Sequence, residues 1–205
     1  MASARDMARE AAAVPGESLR THLRAATMAA HDLLDHAMQA ASGWQTRADY
    51  ARFLALQHAA RAPLEAWLAA HAPADLAPPP QTGLIARDLA LLGVPEPPPA
   101  PLFTIGRPGP GCALGAAWVL AGSALGNKAI ARAVARIGGG QWPVAFLGDE
   151  AMMAFWQALR ARIETPAAPG EAEGATRAAQ AVFAHFLGVA EQGHPPPSLA
   201  ERLPA

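Results

Sequence analysis

Four residues that can bind metals or move protons fall within six positions, in the sequence HDLLDH at 31–36. His31 and Asp35 are four positions apart, as are Asp32 and His36, and side chains at this spacing are neighbours on a helix surface. A carboxylate beside an imidazole can accept the N–H of one ring nitrogen and leave the other free to bind a metal. The segment is therefore a candidate for a single ligating histidine or for a multi-residue metal site.

His31 is distinguished by its place on the predicted helix. At about 100° per residue, Leu19, Leu23 and His31 fall on one side, which the apolar residues mark as the side that faces the core. His22 lies nine positions before His31 and points to the opposite side, and His36 is about 140° further round. We therefore expect His31 to face the core, either as a buried histidine or as a ligand.

A second unusual feature is a pair of glycines in WVLAGSALGNKAIARAVARI, residues 118–137. Gly122 and Gly126 interrupt a strong helix pattern, where each glycine costs about 1 kcal/mol relative to alanine. Two interpretations stay open. The glycines could allow close packing against another helix, with Gly115 on the same side, or they could let a flat ligand approach bare backbone at a bend. Neither GSALGNK nor GPGCALG has the spacing of a nucleotide-binding loop.

The elements that must position these residues are predicted to be helices. Leu and Ala dominate the chain, while Ile, Val and Tyr are sparse, which favours helix over strand. Ser18 and Thr46 are candidate caps, and the stretches 95–101 and 106–111 predict a stiff proline-rich and glycine-rich linker. The sequence predicts an all-α single domain of about six helices. The segments are Glu17–Ala40, Arg47–His71, Thr82–Leu92, Ala113–Ile137, Asp149–Glu164 and Glu171–Glu191.

Composition limits the classes of protein that fit. The chain has 205 residues, of which 52% are hydrophobic, which suffices for one core. With 16 basic and 17 acidic residues there is no charge excess for nucleic acid or an anionic membrane. We expect a helical domain over 16–192, with flexible tails over 1–15 and 193–205. A single cysteine, Cys112, and the lack of a signal peptide or a confident membrane span favour a cytoplasmic protein.

A histidine-bearing first helix and a glycine-containing helix in the second half together resemble the haem oxygenase family. The similarity is to its bacterial branch, which includes enzymes encoded beside bacteriophytochromes. The specific stretches are LRAATMAAHDLLD at 23–35 and WVLAGSALGNKAIAR at 118–132. Three apolar stretches follow in family order, YARFLALQHAARAPLEAWL at 50–68, IARDLALLG at 85–93 and FWQALRARI at 155–163. The resemblance implies a haem-oxygenase-like multi-helix bundle.

The resemblance also assigns roles to individual residues. It implies that His31 is the proximal ligand of the haem iron and that Asp35 orients its ring. Gly122 and Gly126 would lie over the distal face of the haem, and Ser123 stands where animal members carry an aspartate that organises distal water. Basic residues at two matching positions would face the haem propionates, which suits guanidinium groups. They are Arg24 and Arg160.

The implied activity is oxidative cleavage of haem to biliverdin, CO and iron, with haem b as both substrate and cofactor. Gly122, Ser123 and Gly126 would be the catalytic residues, through backbone that steers oxygen and through ordered water. The chain has no flavin, nicotinamide or cluster motif, so electrons would come from a separate ferredoxin or reductase. A bacteriophytochrome could accept the biliverdin.

Other functions remain open at this point. Relatives commonly read YVLEGS where this chain reads WVLAGS, with Trp118 for tyrosine and Ala121 for glutamate, so a non-catalytic haem or tetrapyrrole carrier or sensor on the same fold is an alternative. A di-iron site would need ligands from several helices, and there is no repeated Glu-x-x-His motif. HDLLDH as one metal site is disfavoured because its two pairs point about 100° apart. A helical scaffold with a buried His31 is the remaining interpretation.

Overall fold

A computed structural model describes residues 16–98 and 100–192, and in these ranges the chain forms helices and no strand. The predicted all-α multi-helix bundle is confirmed. The expected tails, 1–15 and 193–205, lie outside the described residues. The helices are α1 (Leu19–Ala41), α2 (Arg47–His71), α3 (Thr82–Leu91), α4 (Cys112–Ile137), α5 (Glu150–Ile163) and α6 (Glu171–Gln192), with a 3-10 turn at Ala74–Leu76.

Three of the described helices, α1, α2 and α5, begin at a residue whose side chain caps them. Ser18 accepts a backbone N–H from the first turn of α1. Thr46 and Asp49 exchange side-chain and backbone hydrogen bonds at the start of α2, a reciprocal capping box. Asp149 caps α5 in the same way as Ser18 caps α1. None of the described helices is both long and apolar enough to cross a membrane.

α6 is the element along which α1 packs. His22 of α1 shares a buried hydrogen bond with Thr176 of α6, and further along both helices the ring of His31 meets the edge of Phe183. Because the residue numbers of the contacts increase together, α1 and α6 run parallel. Packing against α6 therefore fixes where His31 lies along the length of the bundle.

α4 also packs on α6, and here the two backbones touch. A Cβ at Gly115 would overlap the carbonyl of Ala175, and a Cβ at Gly174 would overlap the carbonyl of Pro110. Real Cβ atoms do not approach backbone atoms so closely, so only glycine fits at these positions. Close helix packing, one of the two interpretations that the sequence left open for the glycines, thus explains Gly115.

The described residues between α3 and α4 have no regular secondary structure, in agreement with the predicted linker at 95–101 and 106–111, but this segment is anchored to the bundle. Phe103 and Ile105 are buried and join the main core. Phe103 packs edge-on against Trp67 of α2 and near His185 of α6. The linker is therefore a strap fixed to the bundle at these two side chains.

A buried carboxylate holds the loop between α4 and α5. Asp88 of α3 accepts the backbone N–H groups of Ala145 and Phe146 at 3.1 and 3.0 Å. Burial raises the pKa of Asp88, and its two backbone hydrogen bonds act in the opposite direction. The loop carries Phe146 into a second, smaller core with residues of α2 and α3.

We predict that Asp88→Ala lowers the free energy of unfolding by about 2–4 kcal/mol, because two enclosed N–H groups lose their acceptor. Denaturant unfolding of the purified protein measures this. Asp75→Ala is the matched control, since Asp75 is an exposed aspartate paired with the exposed Arg162 and should change stability by about 1 kcal/mol or less. Equal unfolding midpoints for the two variants would contradict the role given to Asp88.

Candidate functional site

His31 lies on an exposed face of α1, so the prediction that it faces the core is wrong. Its side chain is 58% exposed, whereas His22, which was expected to point away, is buried. The reason is helix geometry. Residues four apart are offset by about 40°, so the stripe that starts at Leu19 has left the buried face when it reaches His31.

One nitrogen of His31 lies close to two carboxylates and the other is open. Nδ1 lies 3.5 Å from a carboxylate oxygen of Asp35 and 3.7 Å from one of Asp32. The ring also meets Phe183 of α6, with ring centroids 6.0 Å apart. No described residue forms a hydrogen bond or ion pair with Nε2. The carboxylate expected to orient the ring is present, and Asp32 shares that position.

HDLLDH does not form a multi-residue metal site. The ring of His36 is hydrogen-bonded through Nδ1 to the backbone carbonyl of Asp32, at 2.6 Å. In residues 16–98 and 100–192, no three or more His, Cys, Asp or Glu side chains are grouped so that they could hold a metal ion. The four-ligand and di-iron alternatives therefore have no support in the described part of the chain.

Gly122 and Gly126 differ from Gly115, because packing within the described chain does not require them. A Cβ at Gly126 would have no neighbour within 4 Å, and a Cβ at Gly122 would make an ordinary 3.7 Å contact with the ring of Trp156. α4 continues as one helix through both positions. Alanine would be favoured at each by about 1 kcal/mol, so contact with something outside the described chain would explain the glycines.

Exposed apolar side chains stand beside both features. Met28, one turn before His31, is 45% exposed, and Leu125, between the two glycines, is 55% exposed. Single exposed apolar residues are ordinary, but here they adjoin an imidazole with an open nitrogen and a stretch of bare backbone. Apolar surface is therefore available next to each of the two candidate features.

Both features are connected to neighbouring turns of α6. His31 touches Phe183, as described above. Ser123, which follows Gly122, accepts a hydrogen bond from Arg61, whose guanidinium lies 6.0 Å from the ring of Phe186. Phe183 and Phe186 are about one helical turn apart. His31 directly, and Ser123 through Arg61, thus reach neighbouring turns of α6 from two different helices.

The two arginines expected to face carboxylates lie at the surface. Arg160 of α5 is paired with Glu164 at 3.3 Å, and Glu164 also accepts from Arg20 of α1 at 2.9 Å. Arg24 is exposed, one turn after Arg20. At about 100° per residue, Arg20, Arg24 and His31 fall within about 40° of one another. A basic stripe thus leads along α1 to His31, and Glu164 links Arg160 to it.

The Ser123 hydroxyl is hydrogen-bonded within the described chain on both its donor and its acceptor side. Its hydroxyl donates to the carbonyl of Leu120 at 2.7 Å and accepts from Arg61 at 2.7 Å. Ala121, which departs from the family pattern, is fully buried. Trp118, the other departure, has an enclosed indole N–H with no acceptor among the described residues. Such a group costs about 1–3 kcal/mol when it stays unpaired.

Arg61 is a site residue that the sequence analysis missed. It is 1% exposed and lies between α2, on which it stands, and α4. A signal was present, because Arg61 falls on the apolar stripe of α2, seven residues after Leu54 and three before Leu64, both fully buried. A charged residue on such a stripe indicates a buried cation with partners.

We predict that Gly126→Ala stabilises the protein without ligand by about 0.5–1 kcal/mol, because alanine is the better helix former and nothing obstructs its Cβ. Thermal or denaturant unfolding measures the change. Gly115→Ala on the same helix is the matched control and should destabilise strongly, since its Cβ would overlap Ala175. Destabilisation by Gly126→Ala would show that α4 needs the glycine for its own packing.

An imidazole with one open nitrogen, two glycines without a packing role and a basic stripe are the features that the structure gathers around α1, α4 and α6. Comparison of the chain with protein-family models, with curated proteins and with solved structures gives no significant match. The grounds for a function are therefore the residues themselves, their spacing and their geometry.

Proposed function

We propose that the protein is a haem oxygenase, which binds haem between His31 of α1 and the Gly122–Gly126 backbone of α4. It would cleave haem to biliverdin, CO and iron, using O₂ and electrons from a separate ferredoxin or reductase. One observation carries the proposal. An imidazole with an open Nε2 and a helix with two glycines that the described chain does not need are connected to neighbouring turns of α6. A bacteriophytochrome is the proposed acceptor of the biliverdin.

The residues present fit a haem. A neutral imidazole with a carboxylate near its second nitrogen is a common arrangement for an iron ligand, and His31 has Asp32 and Asp35 at that nitrogen. A flat apolar ring needs apolar surface and close backbone, which Met28 and Leu125 with the adjoining glycines supply. Its two carboxylates need cations at the edge, where guanidinium groups are well suited.

When bound, haem supplies the redox chemistry on O₂. The chain itself would hold and orient the ring. His31 would hold it through Nε2, while Asp35 and Asp32 keep the proton on Nδ1 and fix the imidazole plane. Gly122 and Gly126 present no side chain, so a small molecule would have room next to the backbone. These are binding and positioning tasks, and none of them needs a catalytic acid–base pair.

Arg24 and Arg160 would bind the propionates on the edge nearest the start of α1. Arg24 is exposed and has no ion-pair partner among the described residues. Arg160 is engaged by Glu164, which would have to share it or release it. Arg24 is therefore the better placed of the two, and we propose Arg20 as a third cation on the same stripe.

A haem or tetrapyrrole carrier or sensor is the second candidate. It is favoured by Ser123, whose hydroxyl proton is committed to the Leu120 carbonyl and so cannot be donated toward a distal ligand. Ala121 adds no polar group, because its side chain is a methyl, and it is buried in the core. Such a protein would bind haem through the same His31 and would not degrade it.

We predict that wild-type protein binds haemin with a shifted Soret band and that His31→Ala weakens this binding at least about 10-fold, the effect expected for loss of a metal ligand's interactions. Absorption titration measures it. His36→Ala is the matched control, because His36 is also an exposed histidine of α1 but is bonded through Nδ1 to the helix backbone. Equal losses in both variants would indicate non-specific histidine binding.

Reduction under air separates the two candidate functions. With ascorbate added, and in a second sample a ferredoxin with its reductase, the oxygenase should lose its Soret band and gain the spectrum of biliverdin. A Soret band that persists with both electron sources would contradict the oxygenase and favour the carrier or sensor. No haemin binding by the wild type would contradict both.

We predict that Asp32 and Asp35 act together on His31, since their oxygens lie at nearly equal distances from Nδ1. The double variant Asp32→Asn with Asp35→Asn should weaken haemin binding about 10-fold to 100-fold, as loss of such supporting groups does. Each single variant should lose less than half of the binding free energy that the double variant loses, because the other carboxylate remains. A single variant as weak as the double would show that only one carboxylate orients the ring.

A further inference from the structure

Arg61 is enclosed by neutral oxygen acceptors and aromatic rings. Its guanidinium donates to Gln57 at 3.1 Å, to Gln81 at 2.8 Å and to Ser123 at 2.7 Å. It also lies over the ring of Phe146, 4.9 Å from the centroid, which favours a cation. No carboxylate of the described residues forms a direct ion pair with it. Each nitrogen of the guanidinium is therefore held in a fixed direction.

The positive charge of Arg61 is balanced by a carboxylate that it reaches through an intervening glutamine. Gln81, which accepts from Arg61, donates through its own amide nitrogen to Asp149 at 2.8 Å. Burial lowers the pKa of Arg61 to about 10, although the carboxylates of Glu65 and Asp149 act to raise it. At neutral pH the guanidinium is charged and does not release a proton. The chain from Ser123 to Asp149 thus fixes orientation and charge and does not conduct protons.

This network determines what Ser123 can offer. Its hydroxyl donates to the Leu120 carbonyl and accepts from Arg61, so one lone pair of the oxygen remains. Ser123 is half-buried and lies about 60° from Gly126 around α4. Toward the open face of α4 it can therefore present only a hydrogen-bond acceptor, with a fixed positive charge behind it.

We propose that Arg61 is a positioning residue of the ligand site, which locks Ser123 as an acceptor and places a buried positive charge behind the distal face. This role rests on the proposed haem binding. The two effects act oppositely on a water at that face. The charge favours its deprotonated form, whereas the Ser123 acceptor favours its protonated form.

The test is the alkaline spectral transition of the ferric haemin complex, which reports deprotonation at the open face of the ring. Arg61→Met should raise the pH midpoint by about one unit, a tenfold change in the equilibrium, because the charge is lost while the bond from Ser123 to the Leu120 carbonyl keeps its oxygen an acceptor. Ser123→Ala should lower the midpoint, because the acceptor is lost while the charge stays. Arg61→Lys should keep the midpoint within about half of that shift, since it retains the charge. Opposite shifts from two touching residues are not expected from general loosening of the fold.

Arg132→Met is the control for net charge, because Arg132 is an exposed arginine on α4, and its midpoint should equal that of the wild type. Folding of every variant is checked by circular dichroism. A midpoint unchanged in folded, haemin-binding Arg61→Met would overturn the proposal. If that variant does not fold, an unchanged midpoint in Ser123→Ala would overturn it. Failure of the wild type to bind haemin would instead overturn the proposed function, and the role of Arg61 with it.

Discussion

The close approach of α4 to α6 is the constraint on which the rest of the structure depends. It is possible only because Gly115 of α4 and Gly174 of α6 lack a Cβ where the facing backbone passes. Backbone contact fixes the height of one helix on another more tightly than contact through flexible side chains, because interiors pack at near-crystalline density. Since α1 is also fixed to α6, by the His22–Thr176 hydrogen bond, the positions of the imidazole and the glycines follow from one shared element.

The buried Arg61 fixes the position of a second group of elements relative to one another, this time through hydrogen bonds. Through Gln81 and Ser123 it links α2 and α4 to the residues that immediately precede α3 and α5, by hydrogen bonds of 2.7 to 2.8 Å. A buried charge is costly and is tolerated only when its donors are satisfied. A network of this kind contributes less to stability than an apolar core of equal volume would, but it holds a side chain in one orientation. Here that side chain is Ser123, at the edge of the glycine backbone.

Local sequence signals predicted the ends of the helices, but the exposure of the candidate site residues depends on tertiary packing. The predicted ends agree with the structure within one or two residues, as at Arg47–His71, because Thr46 caps and breaking residues act locally. The burial of His31 was mispredicted because it depends on which face α6 covers, and the helical drift from Leu19 to His31 is large enough to matter. Gly115 and Gly126 look alike in sequence, yet only the position of Ala175 makes one of them essential to packing.

The halves of α1 differ in a way that concerns the site. Leu19, His22, Leu23 and Thr27 are buried in its first half, whereas no residue from His31 to Ala40 is buried. A helix with so little buried surface gains little stability from packing. A flat ligand held between His31 and the glycines would cover part of this half and add the apolar contacts that it lacks. Binding there would then also stabilise the folded chain, because a ligand that binds only the native state shifts the folding equilibrium toward it.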